Sequence, residues 1–197
     1  MDKVFLIGQD QYPGTVRLQG GEDCRLCFVA LPGCSEEVNV EVIIDGPSCN
    51  VELSGLYISK DEDKVGFHIL MRHNSGGSTS RQLFKGIVSG KARVSFDGLI
   101  YVAQDAQKTK AYQENHTILL SQDARIETRP QLEIYADDVE CSHGATTGFL
   151  REDELFYMRS RGIPEAEARR LQIISFLSPV LEKLPEELRQ KVYGSLD

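Results

Sequence analysis

Tyr101-Val102-Ala103-Gln104-Asp105-Ala106 returns eighteen residues later as Leu119-Leu120-Ser121-Gln122-Asp123-Ala124, and Gln113 is matched in the same way by Gln131. A second echo joins Val51-Glu52-Leu53-Ser54-Gly55-Leu56 to Val94-Ser95-Phe96-Asp97-Gly98-Leu99 at a spacing of 43 residues, read as about two longer coils. Short strands that recur with fixed periods predict a solenoid, each coil burying its apolar face on the next. A β-sandwich with similar strand spacing is the competing architecture. The repeat favours the solenoid, so the fold class expected is mainly β, a β-helix.

Toward the N-terminus the same grammar holds. Cys24 to Leu31 reads as a strand, and Val38, Val40, Val42 and Ile44 alternate cleanly up to the turn Asp45-Gly46-Pro47. Val51 to Leu53 and Leu56 to Ile58 flank Gly55, and Val65, Phe67, Ile69 and Met71 alternate again. The loop from Asn74 to Ser78 precedes strands through Phe84, Val88, Val94, Phe96 and Ile100. Residues 1 to 20 are Gly-punctuated, with little to fix them beyond Val4, Leu6 and Val16.

Past Gly148 the period changes from two to nearly four. Glu152, Asp153 and Glu154 suit the first turn of a helix, and Gly162 suits its end. Pro164 is expected to open a second helix with the stripe Leu171, Ile174, Leu177, Leu181 and Leu184, kinked or broken at Pro179. Pro185 is expected to begin a third, carrying Leu188 and Val192. The organisation predicted is a β-helix over 1–148 and a helical segment over 149–197, the helices capping the open end of the solenoid and offering an apolar face to a partner.

Bulk composition narrows the function. The 197 residues carry a net charge of −8, which argues against nucleic acid because no basic stripe would neutralise phosphates. The longest apolar run, Ile173 to Leu177, is far too short to span a membrane and is interrupted by Ser175. The N-terminus lacks an apolar signal core, so the expected location is the cytoplasm. Five cysteines, an odd number, do not suggest a disulfide framework there.

The densest chemistry lies between Pro130 and Gly148. Leu132, Ile134 and Ala136 alternate with Glu133 and Tyr135, and then two aspartates, a glutamate, a thiol and an imidazole fall within seven positions. In extended register Val139, Cys141 and His143 share one face, and Asp138, Glu140 and Ser142 the other. Cys141 and His143 then lie about 7 Å apart at the backbone, able to serve one metal centre or one interface. Thiolate and imidazole suit borderline or soft metals, iron among them. Asp137, Asp138 and Glu140 read most simply as a solvated acidic edge.

Other motifs have plainer readings. Cys24-Arg25-Leu26-Cys27 has metal-site spacing, but no second pair follows and positions i and i+3 of a strand face opposite ways. With Cys34 and Cys49 they read as structural thiols. Gly86-Ile87-Val88-Ser89-Gly90-Lys91 is one residue short of a phosphate loop, and Ala92 stands where a hydroxyl is needed. His68 and His73 read as structural, and Asn115-His116-Thr117 as a glycosylation sequon by letter only. Nothing marks an oxyanion hole or substrate pocket for a cysteine–histidine nucleophile pair, so no enzyme of that kind is expected.

Several longer stretches, in order, carry a family likeness: Phe84-Lys85-Gly86, Ala106-Gln107-Lys108-Thr109, Leu119-Leu120-Ser121, Pro130-Gln131-Leu132-Glu133-Ile134, Asp137-Asp138-Val139 with Cys141-Ser142-His143-Gly144-Ala145-Thr146, Leu155-Phe156-Tyr157, and Ser160-Arg161-Gly162-Ile163. From about Val38 to Asp197 the chain resembles the SufB/SufD family of iron–sulfur cluster assembly proteins, and within it the SufD members. The resemblance implies a right-handed parallel β-helix followed by a helical segment. It implies pairing with a SufB-type chain through the β-helix ends and docking of a SufC-type ATPase on the C-terminal helices. A transient iron–sulfur cluster at the subunit interface would then meet His143, with Cys141 a second candidate ligand. Gly144 stands where SufB-type chains carry glutamate, and Asn115 at the approximate position of the SufB cysteine, both favouring the SufD side. The expected partner-facing residues are Asp137, Asp138, Glu140, Leu155, Phe156 and Tyr157. SufD proteins usually carry an N-terminal helical region, whereas this sequence begins almost directly with strands, as a shortened relative or a fragment does. Two rivals stand beside this reading. One is a structural adaptor that homodimerises through its β-helix and binds no metal. The other, a β-helix carbohydrate-active enzyme, requires a carboxylate array and a secretion signal that the sequence does not clearly show.

Overall fold

Burial alternates along strands of up to ten residues, and this alternation sets the architecture of the computed structural model, which describes residues 1–196. Eleven strands come first: β1 (Asp2–Leu6), β2 (Thr15–Leu18), β3 (Asp23–Ala30), β4 (Glu37–Ile44), β5 (Asn50–Ser59), β6 (Lys64–His73), β7 (Thr79–Val88), β8 (Arg93–Val102), β9 (Lys110–Leu119), β10 (Arg125–Ile134) and β11 (Glu140–Gly148). Three helices follow: α1 (Glu152–Ser160), α2 (Glu165–Leu181) and α3 (Glu186–Gly194). Odd-numbered strands form one sheet in the order β1-β3-β5-β7-β9-β11, and even-numbered strands a second, β2-β4-β6-β8-β10. Every pairing is parallel. The chain therefore winds from one wall to the other and back, a parallel β-helix with two facing sheets.

Register fixes the coil length. Asn50 stands beside Thr79, Thr79 beside Lys110 and Lys110 beside Glu140, so a coil takes about 30 residues. The eighteen-residue echo consequently joins the ends of β8 and β9, on opposite walls, and the 43-residue echo joins β5 to β8, one and a half coils apart rather than two. Two walls that face one core carry the same alternation, so half-coil matches arise as readily as whole-coil ones.

Inside, the core is a stack of matched side chains. Tyr57, Phe67, Phe84 and Phe96 form a continuous aromatic run with ring centroids 5.6, 5.3 and 4.8 Å apart. Two glycines make it fit. A Cβ at Gly55 would lie 2.1 Å from the Phe84 ring, and one at Gly86 would lie 1.9 Å from that of Tyr57. Gly55 is thus a packing device within one unbroken strand rather than a break between two. The first coil is pinned as well: β1 and β2 pair with β3 and β4, and the Phe5 ring stacks on Phe28, with Tyr12 edge-on to both.

The helices do not cap the end of the solenoid; they lie on its flank. β5 is apolar on both faces, with Val51, Leu53 and Tyr57 turned inward and Leu56 and Ile58 outward, so the odd sheet needs a second cover. Leu56, Ile58 and Ile87 meet Leu155, Ala168, Ile173, Leu177, Val180 and Leu181 in that second layer. Of the expected stripe Leu177, Leu181 and Leu184 are buried, whereas Leu171 is 41% exposed. α2 runs through Pro179 and stops two residues later. The carbonyl of Ser175, which a proline cannot pair, accepts from Ser178 Oγ at 2.8 Å, and Lys85 Nζ from the sheet below donates to the Phe176 carbonyl at 2.9 Å. Gly162, at φ +87°, follows α1 as expected, and Pro164 and Pro185 sit one place before the first helical residues of α2 and α3.

β10 and β11 close their sheets, each with one unpaired edge. Pro130 lies mid-strand in β10, beside Gly98. The amides of Arg125 and Tyr135 are donated to the β8 side, to Ala92 and Val102 carbonyls. Donors alternate sides along a strand in parallel pairing, so position 130 falls on the free edge, where its missing N–H breaks no bond. Among the described residues no helix is long and apolar enough to cross a membrane.

The packing makes a stability prediction. Gly86→Ala should lower unfolding free energy by about 1–3 kcal/mol, because the new methyl meets a buried ring with no room to yield. Gly144→Ala, with no atom within 4 Å of its added Cβ, should stay within about 0.5 kcal/mol of the parent. Urea titration of both variants checks the contrast.

Candidate functional site

The open last coil brings together two of the chemistry-bearing residues expected from sequence. β11 pairs with β9 so that Cys141 stands beside Ala111 and His143 beside Gln113. Ala111 and Gln113 are buried inward residues, so Cys141 and His143 belong to the inward face of the coil. Cys141 is half-buried against the interior core, while His143 is exposed, because β11 has no neighbour above it. Burial pushes the Cys141 thiol up, Glu140 adds to the rise, and a hydrogen bond with the Ala111 backbone opposes it. The thiol is accordingly protonated at neutral pH until a metal or base takes the proton. Among the described residues no group of three or more His, Cys, Asp or Glu side chains is placed to hold a metal ion.

The acidic residues separate from that pair, as the strand period requires. Glu140 faces outward, 3.1 Å from Lys110 Nζ and accepting from the Tyr112 hydroxyl; these bonds hold its carboxyl below the usual range. Asp137 and Asp138 are exposed in the preceding turn. The Asp138 amide donates to Gln107 Oε1 at 2.9 Å, and the Asp138 carbonyl accepts from Lys108 at 2.5 Å, stacking this turn on the one below. Lys108 adopts φ +59° to do so.

Beneath the open end the interior turns polar, which sequence reasoning missed. Gln82 and Gln113, in the column under His143, are linked by Gln113 Nε2 donating to Gln82 Oε1 at 3.0 Å. Asn115 and Thr117 follow on the same strand face. The hydroxyls of Thr117 and Tyr57 lie 2.6 Å apart, and Asn115 Nδ2 reaches the Tyr57 oxygen at 3.5 Å. Burial pushes the Tyr57 hydroxyl up to about 12. The signal was present as Ala111-x-Gln113-x-Asn115-x-Thr117, an alternation with polar residues at the core positions. One coil lower, His73 is fully buried with Nε2 2.8 Å from Ser80 Oγ, and burial holds its ionisation down to about 4.

On the flank, Leu155 is 3% exposed and anchors α1 in the helix–sheet layer rather than facing outward. Phe156 and Tyr157 are 74% and 59% exposed, and the exposed Phe149 lines a largely apolar groove with Ile118, Met158, Leu171 and Phe176. The remaining motifs resolve as structure. All five cysteines are free; Cys24 belongs to the interior core and Cys27 to the helix–sheet layer, on opposite faces of β3. Burial pushes the Cys27 thiol up to about 12. His68 is exposed and bonded to Glu37 at 2.8 Å. Gly86 to Lys91 spans the end of β7 and a turn between strands, not the start of a helix, and the Asn115 amide is buried.

The chain is a two-walled parallel β-helix with a helical flank and with Cys141 and His143 on its uncovered last coil. The family model for the SUF system FeS cluster assembly, SufBD core domain, matches residues 17–176, and the chain belongs to this SufBD family of iron–sulfur cluster assembly proteins. Iron-sulfur cluster assembly protein SufD of Escherichia coli is 41% identical over 159 residues, 80% of this chain and 38% of that protein. Protein ABCI7 of Arabidopsis thaliana chloroplasts is 39% identical over 189 residues, covering 92% of this chain and 39% of its own length. A SufBD family protein of Synechocystis is 37% identical over 161 residues, or 82% and 36% of the two chains. The chain spans well under half the length of these relatives. Within the family its likeness is to SufD.

The buried imidazole gives a pH prediction. The unfolded chain takes up a proton at His73 near the ordinary value of 6.5, the folded chain only near 4. Stability present at neutral pH is therefore lost as pH falls from 6.5 toward 4, by up to about 3 kcal/mol from this group. Urea unfolding at neutral pH and near pH 4.5 should show a smaller acid loss in His73→Gln than in the parent.

Proposed function

We propose that the chain acts as the SufD-like half of a cytoplasmic iron–sulfur cluster assembly scaffold, carrying out no catalysis of its own. The observation that supports this most directly is the last coil, where two inward-column donors, His143 and Cys141, are left open beside the free edges of both sheets. Imidazole and thiolate are suitable iron donors, and two of them are too few for a cluster. A SufB-type chain meeting this end would supply the rest, with Asp137 and Asp138 at the rim. The cluster is cargo, held at the seam between subunits while it forms and then passed on.

The flank serves a second partner in this reading. Phe149, Phe156 and Tyr157 give a SufC-type ATPase exposed apolar side chains to dock on, Phe149 within the groove between α1 and α2. Leu155 contributes by holding α1 in place. A homodimeric adaptor is the second reading, favoured by the unpaired edges of β10 and β11, which a second copy can meet as readily as a different chain.

Co-purification with SufB-type and SufC-type chains, followed by anaerobic reconstitution with ferrous iron and sulfide, separates the two. The scaffold reading expects visible cluster absorption and matched iron and sulfide in the assembly, lost in His143→Ala and reduced in Cys141→Ala. A stable dimer of the chain alone, with no absorption sensitive to His143→Ala under any pairing, selects the adaptor. Phe156→Asp should release the ATPase while leaving the SufB-type pairing intact.

A further inference from the structure

Gln113 is 1% exposed, and its amide is only half used. Nε2 donates to Gln82 Oε1 at 3.0 Å, whereas Oε1 is buried without a hydrogen-bond partner. The amide has little freedom to turn elsewhere. It lies against the opposite wall at Gly98, where even a Cβ would come within 2.5 Å of Nε2 and 2.7 Å of Oε1. Gln82 Nε2 is also unpartnered, so the ladder runs one way, with a spare donor at its lower end and a spare acceptor at its upper end. The next residue in that column, one strand spacing away at about 4.8 Å, is His143. A buried acceptor with no partner is disfavoured, and an imidazole N–H is the kind of donor it requires.

We propose that Gln113 is a positioning residue for His143: its Oε1 accepts the ring N–H, fixing the tautomer and turning the other ring nitrogen out of the open end. A histidine that ligates a metal through one nitrogen is commonly oriented by a hydrogen bond from the other to a carbonyl. The Gln82–Gln113 ladder supplies that carbonyl from inside the solenoid. The bond is not made in the structure, where Gln113 Oε1 is unpaired and the His143 ring is exposed; it requires that ring to turn inward and needs no other chain. Its consequence for iron rests on the assembly reading given above.

Imidazole nitrogen shifts of the 15N-histidine-labelled chain test the bond directly, with the His143 signals identified by their loss in His143→Ala. One neutral tautomer should dominate at His143 in the parent, shift toward the mixture of an imidazole in water in Gln113→Leu, and return in Gln113→Glu, which keeps a carbonyl-type acceptor. A solvent-like mixture in the parent overturns the proposal without any variant, as does an unchanged tautomer in a folded Gln113→Leu chain. In the reconstituted assembly, Gln113→Leu should weaken iron retention against a chelator by about 10–100-fold. Equal retention overturns the orienting role toward metal. Failure of the parent assembly to form any cluster removes the ligand reading, while the tautomer result still decides the bond.

Discussion

Each coil of a parallel solenoid is built to be covered by the next, and the last coil of this chain has no next. That one constraint organises the molecule. Backbone pairing and inward side-chain columns pass upward from β1 and β2 without a break, and then stop at β10 and β11 with edges and columns still open. His143 is exposed for this reason alone: its counterparts in the column below, Gln82 and Gln113, are 2% and 1% exposed. The same position is core in one coil and surface in the next.

The interior changes character to match. Deep in the solenoid the column positions are aromatic and aliphatic, and Gly55 and Gly86 are spent on admitting the rings of Phe84 and Tyr57. Toward the open end they become amides and hydroxyls that bond in part to one another, with Gln82 Nε2 and Gln113 Oε1 left unpaired. A polar network under an open end lets groups arriving from outside be met by hydrogen bonds rather than by hydrocarbon, since buried polar atoms need partners wherever they lie. The odd sheet solves a separate problem. Being apolar on both faces at β5, it requires the helices as an outer cover, and that requirement, not the open end, decides where they dock.

Much of this was legible in the residues. Period-two alternation placed the strands, and the change of period after Gly148 placed the helices. The i, i+3 rule separated Cys24 from Cys27, and the i, i+2 rule put Cys141 and His143 on one face. What escaped was information held between coils. The true period was hidden because facing walls resemble each other. The use of Gly55 was hidden because Phe84, which needs its space, is far away in sequence. The flank position of the helices depended on seeing that Leu56 and Ile58 point away from Tyr57. Gln113 and Asn115 were passed over because polar letters in a strand suggest solvent, and only pairing with β7 and β11 reveals that they lie inside.

Pro130 bears on whether the open end can template further strands. Solenoids with bare ends are prone to stack head to tail without limit, each copy templating another. A proline on the outer side of β10 removes one donor from the middle of the row that such growth would use. A newcomer can therefore lie along this wall only with its ladder interrupted, which disfavours growth there.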